Sequence, residues 1–123
     1  MLCRHHYNDV GMETQKIATR QAQINRIKED LQALGEIMPG SLSRQYNVCG
    51  NPHCRCKDPG KPKKHGPYYN LSYTWNAKGR TLFVRKEQLS QVRQQIKNYR
   101  TFRKLTKRWV DLSLEILELR KER

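Results

Sequence analysis

Residues 49–75 read C-G-N-P-H-C-R-C-K-D-P-G-K-P-K-K-H-G-P-Y-Y-N-L-S-Y-T-W. Three thiols, Cys49, Cys54 and Cys56, fall within eight residues, and His65 follows nine residues after the last of them. Zn²⁺ prefers four nitrogen or sulfur donors in a tetrahedron. This stretch supplies four, so a Cys₃His structural zinc site is expected at Cys49, Cys54, Cys56 and His65. Gly50 and Pro52 suit the tight turn between the first two thiols. His53 competes for the fourth position, although its adjacency to Cys54 strains simultaneous binding. Cys3, His5 and His6 are a remote alternative. An iron–sulfur cluster prefers four thiolates and would have to recruit Cys3, which ranks it below zinc. A structural ion here takes the place of a large apolar core.

Working outward, Pro52, Pro59, Pro62 and Pro67 are four of the five prolines of the chain, and residues 41–67 read as loop. Tyr68–Trp75 and Thr81–Val84 are rich in β-formers and flank Asn76-Ala77-Lys78-Gly79. A β-hairpin with Gly79 at the turn is expected. Strand alternation puts Tyr69, Leu71, Tyr73 and Trp75 on one face, read as core, and Tyr68, Asn70, Ser72 and Thr74 on the other.

Two long segments without Gly or Pro frame this module. From Met12, the residues Ile17, Ile24, Ile27, Leu31, Leu34 and Met38 recur at helical spacing, which predicts a helix over 12–38 with a narrow apolar seam. Gly35 and Pro39-Gly40 mark its end. Residues 1–11 show no periodicity and read as a flexible segment. From Lys86, Leu89, Val92, Ile96 and Tyr99 form one stripe, and Leu105, Trp109, Leu112, Ile116 and Leu119 continue it after a phase slip near Phe102. That predicts one helix over 86–123, or two joined at the slip.

The expected fold is therefore α+β in a single domain. Two long helices form an antiparallel coiled-coil-like hairpin, with a small zinc-bound β-hairpin module over 39–85 between them. The surplus seam Trp109, Leu112, Ile116 and Leu119 points to a larger protein partner or a homodimer.

The chain has 123 residues and a formal net charge of +14. The excess is localised, because residues 41–110 hold seventeen Lys and Arg against only Asp58 and Glu87. On the second helix Arg93, Lys97, Arg100, Lys104 and Lys107 make one stripe at intervals of four and three, widened by Arg103 and Arg108. Lys57, Lys61, Lys63, Lys64, Lys78, Arg80 and Arg85 surround the proposed zinc site. A solvated face usually intersperses acids, whereas none occurs from Gln88 to Val110. Such a field suits DNA or RNA, with Tyr68 as the candidate for stacking on a base.

Metal-dependent phosphodiester chemistry needs carboxylates, and the basic segment has only two. A non-enzymatic role is expected. No run reaches the roughly 20 apolar residues of a membrane span, and the N-terminus lacks a secretory h-region. These features place the chain in the cytoplasm without a membrane partner.

The blocks C-G-N-P-H-C-R-C, H-G-P-Y-Y-N-L-S-Y, G-R-T-L-F-V and K-E-Q-L, followed by N-Y-R, occur in that order over residues 37–110. In this the chain resembles a family of small bacterial and archaeal proteins that is known as a domain of unknown function and is often associated with transposases and mobile elements. Cys49, Cys54, Cys56 and His65 match the invariant-looking positions of the family pattern, and Gly66, Pro67, Tyr68 and Tyr69 match its aromatic block. Arg85 stands where the family carries Pro, and residues 1–11 have no counterpart. The resemblance implies an accessory subunit of a transposition or RNA-guided complex, which the residue pattern makes zinc-stabilised and nucleic-acid-binding. Two alternatives remain: a coiled-coil adaptor that docks on an acidic protein, and a repressor of its own element. No helix-turn-helix supports the latter.

Overall fold

The computed structural model describes residues 2–121, with side chains from Gly11 onward. Its elements are α1 (Leu2–Ala33), β1 (Ser41–Asn47), a short 3₁₀ turn (Arg55–Lys57), β2 (His65–Trp75), β3 (Lys78–Val84), a second 3₁₀ turn (Lys86–Gln88) and α2 (Leu89–Lys121). The protein is α+β, with two helices and a three-stranded antiparallel sheet. The chain divides into two compact units. The first is Met1–Gly35 with Arg100–Arg123, and the second is Glu36–Tyr99.

In the second unit the strands run in the order β1-β2-β3. β1 falls inside the stretch read as loop. The prolines that argue for a loop all lie beyond residue 51, whereas Ser41–Asn47 has none and alternates Leu42, Arg44 and Tyr46 with small polar residues. Leu42 pairs with Leu71 and Gln45 with Tyr68, and the register then slips so that Asn47 meets His65. That irregularity lies beside Pro67, which has no N–H to give to a ladder. β2 thereby reaches back to His65.

The β2–β3 turn also differs from expectation. Trp75 pairs with Lys78, so the turn is Asn76-Ala77, with φ of 52° and 63°, and Gly79 lies within β3 opposite Thr74. Two successive positive φ values define the primed turn whose twist matches a hairpin. Gly40 takes φ 107°, and a Cβ there would collide with the Ser72 carbonyl oxygen and the Tyr73 side chain.

Leu71, Val84 and Ile96 form the buried core of this unit, surrounded by Met38, Leu42, Tyr69, Tyr73 and Val92. Trp75, expected in the core, is 59% exposed, because it is the last residue before the turn. Met38 lies outside α1, which stops at Ala33. Its N–H donates to the Gln95 carbonyl at 3.1 Å. Glu36 fixes the same segment, accepting from Gln95 Nε2 at 2.6 Å and, through its carbonyl, from Asn98 Nδ2 at 2.9 Å.

In the first unit Ile24 and Ile27 of α1 bury Leu112 and Ile116 of α2, flanked by Ile17, Leu31, Leu105 and Trp109. Arg20 and Arg108 approach Glu115 at 3.5 and 3.8 Å, and Lys28 lies 5.2 Å from the Trp109 ring centre. Trp109, Leu112 and Ile116, three of the four residues read as a partner seam, pack within the chain, with Leu112 only 1% exposed. The large apolar residues that α2 leaves on the outside are Val110, Leu114 and Leu117. No described helix is long and apolar enough to cross a membrane.

Ala77 occupies a left-handed conformation that costs an L-residue roughly 1–2 kcal/mol, while glycine adds about 0.5–1 kcal/mol of unfolded-state entropy. Ala77→Gly should therefore stabilise the sheet unit by about 1 kcal/mol, read as a higher midpoint of thermal unfolding. An unchanged or lower midpoint would show that Ala77 is not held at positive φ.

Candidate metal centre and cationic surface

The site grows from a turn that the sequence encodes locally. Asn51 accepts the His53 N–H on its Oδ1 at 3.0 Å and the Cys54 N–H on its carbonyl at 3.2 Å, which folds the chain after Gly50. The 3₁₀ turn Arg55–Lys57 follows, and it turns Cys56 inward to 2% exposure. The Cys49 N–H donates to Cys56 Sγ at 3.4 Å, so backbone as well as side chain orients the sulfur. His65 arrives on the first residue of β2.

Cys49 Sγ lies 3.6 Å from Cys56 Sγ, and Cys54 Sγ lies 3.2 Å from His65 Nε2. The four donor atoms all fall within 4.8 Å of one another. A tetrahedral ion with bonds of about 2.3 Å to sulfur and 2.0 Å to nitrogen needs donors roughly 3.5–3.8 Å apart. The separations here, from 3.2 Å up to 4.8 Å, bracket that range, and the cluster could hold a metal ion. The cluster takes His65 and leaves out His53, whose backbone N–H is engaged in the turn. Cys3, His5 and His6 lie outside the described side chains.

Crowding perturbs every donor. Cys49 is pushed down to about 6, first by hydrogen bonding to the Asn51 backbone and then by His65 and Cys54. The Cys56 backbone, more than any other neighbour, lowers Cys54. The Cys49 backbone is the largest influence on Cys56 and favours its thiolate, but burial and the two neighbouring thiols outweigh it and raise the group. Hydrogen bonds with Cys49 and Cys54 raise His65. One ready thiolate, one reluctant thiol and an imidazole whose proton affinity is raised share a space where a cation could replace their protons.

A cationic cleft opens beside the cluster. The Lys63 N–H donates to the Arg55 carbonyl at 3.0 Å, and Asp58 Oδ1 accepts the Gly60 N–H at 3.0 Å, closing the proline-rich loop on itself. Arg55, Lys63 and Lys64 then line a depression of about 440 Å³ with Cys54, His65 and Gly66. Sequence reasoning misses Arg55, because its position between two ligands hides it among the cysteines. The other basic residues expected at the surface, Lys57, Lys61, Lys78, Arg80, Arg85, Arg93, Lys97, Arg100, Arg103, Lys104, Lys107 and Arg108, are all exposed. Lys107 bonds Asp111 at 2.9 Å, and Arg108 reaches Gln23 as well as Glu115. Those two face acids or amides of the chain itself, which a count of acids that stops at Val110 does not register. Tyr68 is 37% exposed.

The chain belongs to the family described as a domain of unknown function, DUF6788, which matches residues 17–94, more than half of its length. That span contains all three strands and the four clustered donors. No curated protein and no solved structure matches the chain.

Metal uptake requires thiolates and a neutral imidazole. Cys56, held above its ordinary 9.0, must lose its proton on loading near neutral pH, the upward shift of His65 opposes loading as pH falls, and Cys49 at about 6 is already ionised. Zinc titration calorimetry in buffers of different ionisation enthalpy should show proton release and an affinity that rises from about pH 6 to about pH 8. Cys54→Ser should weaken binding by more than about 100-fold, beyond the loss typical of outer-shell changes, whereas His53→Ala should leave it intact. Equal losses in the two variants would overturn the ligand set.

Proposed function

We propose that this protein is a non-enzymatic, zinc-stabilised, nucleic-acid-binding accessory protein. The observation that carries this reading is the segregation of charge. Seventeen cations against two acids occupy residues 41–110, and three of them converge in one cleft beside the Cys/His cluster. A solubilising surface has no need to gather like charges, whose mutual repulsion opposes folding. Phosphates neutralise them with release of counterions, which supplies binding free energy without base readout.

Zinc is the metal that the donor set favours, because three thiolates and an imidazole form a closed tetrahedral site. Four protein donors leave no open position for chemistry. Of the two acids in the basic segment, Asp58 is engaged in its own loop, and the pair offers no carboxylate constellation for divalent cations. The resemblance to proteins associated with mobile elements suggests a subunit of a transposition or RNA-guided complex working in the cytoplasm. The pairs Arg20–Glu115 and Lys28–Trp109 advance in opposite directions along α1 and α2 and support an antiparallel coiled-coil-like hairpin as the rigid arm of such a subunit.

A second reading, an assembly protein, is favoured by Val110, Leu114 and Leu117, whose spacing puts an exposed apolar stripe on α2.

The deciding experiment reverses Arg93, Lys97, Arg100 and Lys104 to Glu. Binding to mixed RNA and DNA should weaken, and the slope of log affinity against log salt should fall by about 0.7–0.9 for each phosphate no longer neutralised, with helix content and metal retained. Unchanged affinity and slope would move the assignment to the assembly protein.

A further inference from the structure

The outer face of the sheet has a composition that folding does not require. By register, Ser41, Ser43 and Gln45 of β1, Tyr68, Asn70, Ser72 and Thr74 of β2, and Thr81 and Phe83 of β3 share the face opposite the Leu71–Val84 core. No member of this set is charged. Most of it is hydroxyl and amide, paired locally: Asn70 Nδ2 donates to Gln45 Oε1 at 3.2 Å, and Ser72 and Thr81 share a hydrogen bond at 3.2 Å. Two rings interrupt this polar surface. Phe83 is 63% exposed and Tyr68 37%, with ring centres 6.4 Å apart and planes tilted by 56°.

A phenyl ring left largely in water forgoes most of the roughly 1.5–3 kcal/mol that burial would give. Threonine, used at the equivalent neighbouring position 81, would suit a solvated strand as well. The rings also stand at one particular end of the sheet. Tyr68 is two residues from Gly66, about 7 Å along a strand, and Gly66 lines the cleft of Arg55, Lys63 and Lys64. Arg85 and Lys86 follow Val84, which pairs with Tyr69 at that same end. Aromatic faces and an arc of cations therefore meet where no acid of the sheet intervenes.

We infer that Tyr68 and Phe83 form a stacking platform for the bases of an unpaired nucleic-acid strand, whose phosphates enter the adjoining Arg55–Lys63–Lys64 cleft. Stacking needs a base with a free face, which a duplex does not present, and it is tolerant of sequence because every base has one. The charge of the cleft supplies attraction and the rings supply the preference for single strands. This inference rests on the nucleic-acid reading above and narrows it to a strand class and a site.

The test measures binding of labelled oligouridylate, oligothymidylate and a mixed-sequence duplex of equal length to the full-length metal-loaded protein over a series of salt concentrations. Wild type should prefer the single strands. Phe83→Ala should weaken single-strand binding about tenfold, the scale of one base–aromatic stack, while duplex affinity and the salt slope stay unchanged. Phe83→Trp should restore it. Tyr68→Ala should act in the same direction, but it lies three residues from His65, so Phe83→Ala decides if that variant loses metal. Equal duplex and single-strand affinity in wild type, or a Phe83→Ala variant that binds single strands as wild type does, would overturn the platform. If wild type binds and the four-site charge reversal weakens both probes while Phe83→Ala changes neither, the platform alone falls. If wild type binds no probe, both readings fall.

Discussion

The convergence of Cys49, Cys54, Cys56 and His65 is the constraint on which the second unit depends. Between Asn47 and His65 the chain has no strand, and Cys56 is the one residue there that is fully buried. Val48 is 55% exposed, and Pro52, Pro59 and Pro62 are exposed as well. The remaining closure is made by backbone turns around Asn51, Arg55 and Asp58, each worth about 1 kcal/mol at best in contact with water. The four donors lie within 4.8 Å of one another, and a cation held among them would cross-link this loop.

That constraint also conditions the charge beside it. Arg55, Lys63 and Lys64 are drawn together by the same loop closure, and three cations in one cleft repel. On the proposed reading, three thiolates around a divalent ion would leave one net negative charge next to them and offset part of the repulsion, which would couple metal and cationic cleft through the loop. An anion entering the cleft would complete the neutralisation that the thiolates begin, and on the proposed reading this is where phosphate contributes.

How much of this is legible in the sequence depends on how local each signal is. The ligand set is local: thiol spacing and a histidine just before Gly66-Pro67 suffice to name it, and the geometry separates His65 from His53. The sheet is less local. β1 carries a weak alternation that the nearby prolines mask, and only its pairing with β2 makes it a strand. Glycine at 79 is the stronger turn signal on paper, whereas strand register moves the turn to Asn76 and Ala77 at positive φ. The phase slip near Phe102 is visible without its cause. Val92 and Ile96 serve the sheet core and Leu105 to Ile116 serve the α1 core, so α2 carries two stripes for two packing partners. A sequence shows the slip, but it takes two cores to explain it.

The same logic separates the parts of the surface that folding explains from those it does not. Lys107, Arg108 and Arg20 have acids facing them, and the Trp109 ring has Lys28. These charges complete the helical unit. The cleft cations make no ion pair among the described residues, and Asp58, the acid nearest in sequence, accepts the Gly60 N–H. Phe83 sits where a hydroxyl would serve the strand equally well. A fold selected for stability alone would disperse the first and replace the second. On the proposed reading, their presence at one end of one sheet, beside the Cys/His cluster, suits a ligand that is anionic along its backbone and flat in its side groups.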